Sequence, residues 1–459
     1  MREENPARKE FRADPSVVEA LRATRERETA MSRLLMAFIS TGLVFMLFPG
    51  TLLGVWNLVQ ISGRERGGFI SAAWLQAHGH AQVFGWIGSF LLGIGFYSIP
   101  KLQERATTVI RAAWVCWVLW TAGVALRWAT TVYLWNWRVL VPVGGALELL
   151  AFLIFFSIVS QHRPKDSSKK GLEPWVWVVM SATIGFLLSL SANLVASVQA
   201  SLHGIDPAFP KNFDQRYLAL LGWGFLVPFV WGFSAKWMRV FLGLKALRPG
   251  FLFGAVAFDF AGVGCAAAGR FTVATLLLFA ATISSVIAIR IFEASEQEPK
   301  IRGIHKSFPV FVRLAYGWLF IAAGLGVAAT QWDTFGGIWG ASRHALTVGF
   351  VGIMVLAVGQ RILPAFAGMR LLWSPRLMFL GLLLLAIGCT LRVSSEVLAY
   401  QGYAAWAWYI LPVSALVELT ALSVFTTNMF CTFVLQKSHA VNEPMMVGVP
   451  QLVAVTNPR

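Results

Sequence analysis

The sequence predicts an all-α polytopic membrane protein, with twelve transmembrane helices arranged as three parallel four-helix repeats. Three observations carry this. The 459 residues are 57% apolar and only 13% charged, with a mean hydropathy of +0.65, far from the roughly 25% charged residues of soluble domains. Apolar runs long enough to cross about 30 Å of hydrocarbon as helix fall at 34-56, 77-99, 112-129, 139-160, 175-199, 217-236, 250-268, 271-292, 314-330, 344-363, 377-399 and 406-435. The third is an internal repeat: His80 to Pro100 and His344 to Pro364 align without a gap, sharing seven of twenty-one residues.

Before the first span, residues 1-33 carry eight basic and seven acidic side chains and no apolar signal region. They read as a cytoplasmic N-terminal segment. Residues 34-435 form the membrane domain and 436-459 a cytoplasmic C-terminal tail. The net charge of +16 does not indicate nucleic acid. Sorted by alternate sides of the spans, Lys and Arg divide 29 to nine, which places both termini in the cytoplasm by the positive-inside rule.

The second, sixth and tenth helices lead the three repeats. Tyr217 opens a weaker copy in the sixth, with Gly222 and Gly232 at the offsets of Gly85 and Gly95; such glycines suit close helix packing. The repeat continues two helices further on, where Pro142 and Pro412 each precede a glutamate by six residues. Leu126-Arg127 and Leu391-Arg392 also correspond, and Arg270 lies at a similar distance in the weaker copy. An even number of helices per unit makes the repeats parallel, so approximate threefold symmetry about the membrane normal is expected.

The chemistry-bearing residues cluster at one depth. His78, His80 and His344 sit near the non-cytoplasmic face, where a neutral imidazole needs a partner. Two repeat-matched imidazoles suit the two axial positions of a haem iron. His80 and His344 are the matched pair. His78 lies about 200° from His80 around the helix, so only one of the two can face that iron, and a shift of the alignment would select His78. The other histidine is left for a second metal, copper among them, or a backbone carbonyl.

Arg127, Arg343 and Arg392 share that face and are candidate anchors for haem propionates. Glu148 and Glu418 lie deeper, where proton relay, ion binding and structural pairing with Arg127 and Arg392 are all open. Asp259 receives no role. Cys116, Cys265, Cys389 and Cys431 are far apart and read as buried structural thiols. No Cys-x-x-Cys-His occurs, which excludes covalent c-type attachment and leaves haem b.

The motifs His-x-His-x-x-x-Phe-Gly at 78 to 85 and Arg-His-Ala-Leu-Thr-Val-Gly-x-x-Gly-x-Met-x-Leu-Ala-Val at 343 to 358 resemble the NnrS family. That resemblance implies a bacterial inner-membrane protein carrying haem and copper, linked to nitric oxide tolerance, with nitric oxide or another diatomic as ligand. Ala81 stands where that family pattern often has a glutamate, and Pro364-Ala-Phe-Ala-Gly replaces a second histidine segment. The architecture also resembles haem-copper oxidase subunit I and the nitric oxide reductases, whose low-spin haem lies between the second and tenth helices. Their catalytic metal beside the second haem needs a histidine on the sixth helix and a histidine pair after the seventh; none occurs between His203 and His305, so dioxygen reduction is not expected. A solute transporter and a quinol-linked reductase are the competing readings.

Overall fold

The structure is a computed structural model that describes residues 15–63, 71–102, 110–160 and 172–437. The first fourteen residues, Arg64, Arg66 and the tail from 438 onward lie outside the described residues. Twelve helices are long and apolar enough to cross a membrane. They are α1 (Arg22–Gly63), α2 (Ala72–Ile99), α3 (Ile110–Tyr133), α4 (Trp137–Ser160), α5 (Pro174–His203) and α6 (Lys211–Leu242), then α7 (Pro249–Ala267), α8 (Phe271–Ile289), α9 (Phe308–Trp332), α10 (Gly337–Phe366), α11 (Pro375–Tyr400) and α12 (Ala407–Leu435). No strand occurs among the described residues.

Each lead helix starts earlier than its apolar run. α2 begins at Ala72, α6 at Lys211 and α10 at Gly337, so His78, His80 and His344 lie one to two turns inside their helices. Asp333 explains the start of α10: its carboxylate accepts from the amides of Gly336 and Trp339 at 2.7 and 2.8 Å, satisfying donors that a helix N-terminus leaves free. Helix also runs back from α1 to Pro15, through a stretch too short to register as a span of its own.

Every helix packs on the next, and α12 returns against α1 to close the ring. α2, α6 and α10 additionally pack on α4, α8 and α12, and α6 touches α10. The three lead helices therefore form the inner set and divide the bundle into three bays. The first runs from α2 to α6, the second from α6 to α10, and the third from α10 through α11, α12 and α1 back to α2.

All three lead helices change to π-helical winding at nearly the same place: Ala81–Gly88 after His80, Leu220–Leu226 after Tyr217, and Ala345–Gly352 after His344. The offset-five glycines lie within these stretches and take close neighbours. A Cβ on Gly85 would lie 2.8 Å from Phe45 Cβ, on Gly222 2.9 Å from a Leu346 methyl, and on Gly349 2.6 Å from the Trp318 ring. A fourth π stretch, Met46–Leu52 in α1, contains Pro49. Its carbonyls turn outward and accept from other helices: Pro49 O from Trp128 at 3.1 Å and Met46 O from Gln82 at 3.3 Å.

Candidate functional site

Side-chain chemistry concentrates in two of the three bays, and the histidines of α2 are divided between them. In the third bay, His78 is turned towards α1, where its Nδ1 lies 2.9 Å from the Gly50 carbonyl of the π stretch. Gly54 makes room for the ring, since a Cβ there would come within 2.7 Å of His78 Cε1. His78 lies within electrostatic reach of His344 and Arg392. His344 turns its Nδ1 to the Gly340 carbonyl at 2.9 Å, and Glu396 Oε2, which makes no hydrogen bond of its own, lies 3.1 Å from the same nitrogen.

Glu396 also receives Arg392 Nη2 at 3.4 Å on Oε1, one helical turn away on α11. Gly340 has no side chain because a Cβ would overlap that carboxylate. Arg392 Nε and Nη1 are buried without hydrogen-bond partners, as is Glu418 Oε1. Glu418 lies within reach of His344, Arg392 and Glu396. A small apolar cluster built from Val55, Leu58 and Ile61 of α1 with Ala399, Leu411 and Ala415 covers the rim of this bay.

In the first bay, His80 Nε2 lies 2.8 Å from Glu148 Oε1, and Asn193 Nδ2 reaches Oε2 at 3.5 Å. Arg127 donates from Nη1 to Ser197 Oγ at 2.9 Å and its guanidinium lies 4.6 Å above the Phe209 ring. His80, Arg127, Glu148, Asn193, Ser197 and Tyr217 are all buried. The Tyr217 hydroxyl has no partner and lies within electrostatic reach of Arg127 and Glu148. Gly123 and Gly144 let α3 and α4 approach closely; a Cβ on Gly144 would lie 3.0 Å from the Gly123 carbonyl.

Among the described residues, the second bay contains neither histidine nor an intramembrane carboxylate pair. It is filled by Trp223, Phe271 and Trp339 around a cavity of about 60 Å³, with Arg343 on its wall and Asp214 within reach of that charge. Arg270 is exposed.

These placements correct several sequence expectations. Repeat-matched His80 and His344 are not brought together; His78 is the α2 imidazole that shares a bay with His344. Glu148 pairs with His80 instead of Arg127, because Arg127 finds Ser197 on α5. Arg392 pairs with Glu396, four residues along its own helix, so the expected Arg392–Glu418 pair does not form. Of the three arginines, only Arg392 belongs to the third bay. Asn193 and Ser197 were not anticipated. Glu396 was legible as an acid placed i+4 from an intramembrane arginine, a spacing that puts both on one helix face. The four thiols are free and at least partly buried. Among the described residues no group of three His, Cys, Asp or Glu side chains could hold a metal ion.

Residues 224–429 match the family described as a domain of unknown function, DUF8744. No curated protein matches the chain. Among solved structures, a haem-copper terminal oxidase dimer determined by cryo-EM is similar over 88% of this chain and 84% of that chain, with a TM-score of 0.68 at 11% identity. The fold is haem-copper oxidase-like. At that identity the likeness is one of fold, and it bears out the twelve-helix architecture read from the apolar runs.

Proposed function

We propose that this is a membrane haem-b protein in which His78 of α2 and His344 of α10 supply the two axial ligands from opposite sides of the third bay. One observation carries the reading. Each of these imidazoles turns Nδ1 to a backbone carbonyl, 2.9 Å away in both cases, and makes no hydrogen bond through Nε2 to any described residue. An Nδ1–H held in this way fixes the tautomer and leaves Nε2 as the metal-binding lone pair. His80 has the reverse arrangement, with Nε2 committed to Glu148, and so fits a structural role.

The unspent Nε and Nη1 of Arg392 suit a propionate. Arg127 and Arg343 face other bays and serve elsewhere. Haem held by these residues would supply one-electron transfer and a site for nitric oxide. The haem-copper oxidase-like fold and the NnrS resemblance support that setting, as does the 29-to-nine basic asymmetry for a bacterial inner membrane with cytoplasmic termini. Copper has no assigned residues in this reading, because His80 pairs with Glu148.

The purified protein is expected to give a protohaem pyridine haemochrome and a six-coordinate low-spin ferric spectrum. His78→Ala and His344→Ala should each lose the low-spin spectrum, while His80→Ala keeps it. Haem retained in His78→Ala and lost in His80→Ala would restore the repeat-matched pair. Absence of haem from the wild type would return the chain to the transporter reading.

A further inference from the structure

A cavity of about 440 Å³ lies at the other end of the three lead helices, roughly 17 residues and therefore about 25 Å beyond His344. Its wall combines aromatic surface from Trp237, Phe241 and Phe366 with the arginines Arg302 and Arg361. The Arg361 guanidinium is held 4.2 Å above the Phe241 ring and 5.5 Å from that of Phe308, an arrangement that orders the side chain before any ligand arrives. No carboxylate lines the cavity, and neither Arg361 nor Arg302 forms an ion pair with any described residue. Arg370, also on the wall, spends its guanidinium on the carbonyls of Ala367, Phe433 and Gln436.

We propose that this cavity is a binding site for an anionic phospholipid, with Arg361 receiving the phosphate and the aromatic wall receiving the apolar body. A guanidinium fork matches phosphate oxygens. A hydrated inorganic anion would gain nothing from the aromatic surface, whereas an amphiphile uses both parts of the wall. The mouth points the same way. Met369 and Leu371 line the cavity and are exposed at 63% and 59%, leaving an apolar path to the bilayer. The basic residues around this end, among them Arg239, Lys245 and Arg313, favour an anionic leaflet.

The test uses the full-length protein, delipidated in neutral detergent and titrated in parallel with phosphatidylglycerol, phosphatidylcholine of the same chains, and inorganic phosphate. Bound mass is read by native mass spectrometry and Tm by thermal melting. Phosphatidylglycerol should be retained and raise Tm, with phosphatidylcholine about tenfold weaker, because its choline cation offsets the charge of the phosphate that both lipids carry and is repelled by the arginines of the wall. Inorganic phosphate should leave Tm unchanged. Arg361→Gln should erase the discrimination and Arg361→Lys keep part of it. Should Arg361→Gln fail to fold, Arg302→Gln reads the same loss in smaller measure. Equal retention of the two lipids, or a Tm rise from phosphate alone equal to that from phosphatidylglycerol, would overturn the proposal.

Discussion

His80 and Glu148 meet through a 2.8 Å contact between Nε2 and Oε1 inside the membrane, joining α2 to α4 with both side chains buried. A hydrogen-bonded pair so placed holds its geometry because breaking it strands a buried polar partner in a medium that cannot solvate it.

Truncating either residue should therefore destabilise the bundle without removing haem. Single His80→Ala and Glu148→Ala changes are each expected to cost about 1–3 kcal/mol, and the double variant less than their sum. Thermal melts of the four proteins, with haemochrome content measured beside them, check both parts. Additive losses would mean that the two side chains are not energetically linked.

Two glycines on facing helices separate steric support of His78 from general packing. Gly54→Ala drives a methyl into the imidazole and should distort or abolish the low-spin spectrum, at an overpacking cost of about 1–3 kcal/mol. Gly79→Ala meets nothing within 4 Å and should leave the spectrum unchanged. Identical spectra for both variants would detach His78 from the iron.

Glu396 faces the Nδ1 edge of His344 at 3.1 Å and should make that imidazole more electron-rich. Glu396→Gln removes the negative charge, so the haem midpoint potential should rise by tens of millivolts. Redox titration followed optically reads it. Glu418→Gln, whose Oε1 contacts no donor, should shift the potential less and retain haem.

Outside the membrane, Glu293 accepts from Arg290 at 2.6 Å, a hydrogen bond that holds its carboxyl below the usual range. A carboxyl depressed in the folded state stabilises above its unfolded pKa and loses that contribution as pH falls through the folded value. Tm should therefore drop on acidification below about pH 4.3 more steeply in the wild type than in Glu293→Gln. Arg290 sits in a left-handed conformation, with φ of 63°. Arg290→Gly should thus lose the larger share of the pH-dependent part, with Arg248 at 3.4 Å and Lys245 at 3.9 Å keeping the rest, while relieving backbone strain.

The hydropathy of the chain is enough to locate all twelve spans, and the repeat is enough to identify which three lie innermost, because close packing demands bare backbone at Gly85, Gly222 and Gly349. The bays were less legible. Repeat alignment pairs His80 with His344 by sequence offset, but function follows the direction in which a ring points, and His78 and His80 differ there by more than half a turn. Glu418 corresponds to Glu148 by position, yet Glu396 has taken the carboxylate role beside Arg392. Equivalent positions in diverged repeats share depth without sharing partners. Nothing in a 3.6-residue period announces the π stretches, whose extra residue per turn resets the helix face beyond each histidine.

That reset has a developmental consequence for the lineage of such a chain. An α-helix of uniform winding transmits any rotation along its whole length, so altering the side chain offered at one end would disturb the packing at the other. A wide-wound segment between the two ends acts as a flexible joint in angular register. Beneath it, α2, α6 and α10 can keep packing on α4, α8 and α12. Above it, a histidine can be exchanged for a tyrosine, as at Tyr217, or a neighbouring bay refilled with tryptophan, without unpicking the trunk. The three bays can then differ separately: the first holds the His80–Glu148 hydrogen bond, the second is packed with tryptophan, and the third gathers His78, His344 and Arg392.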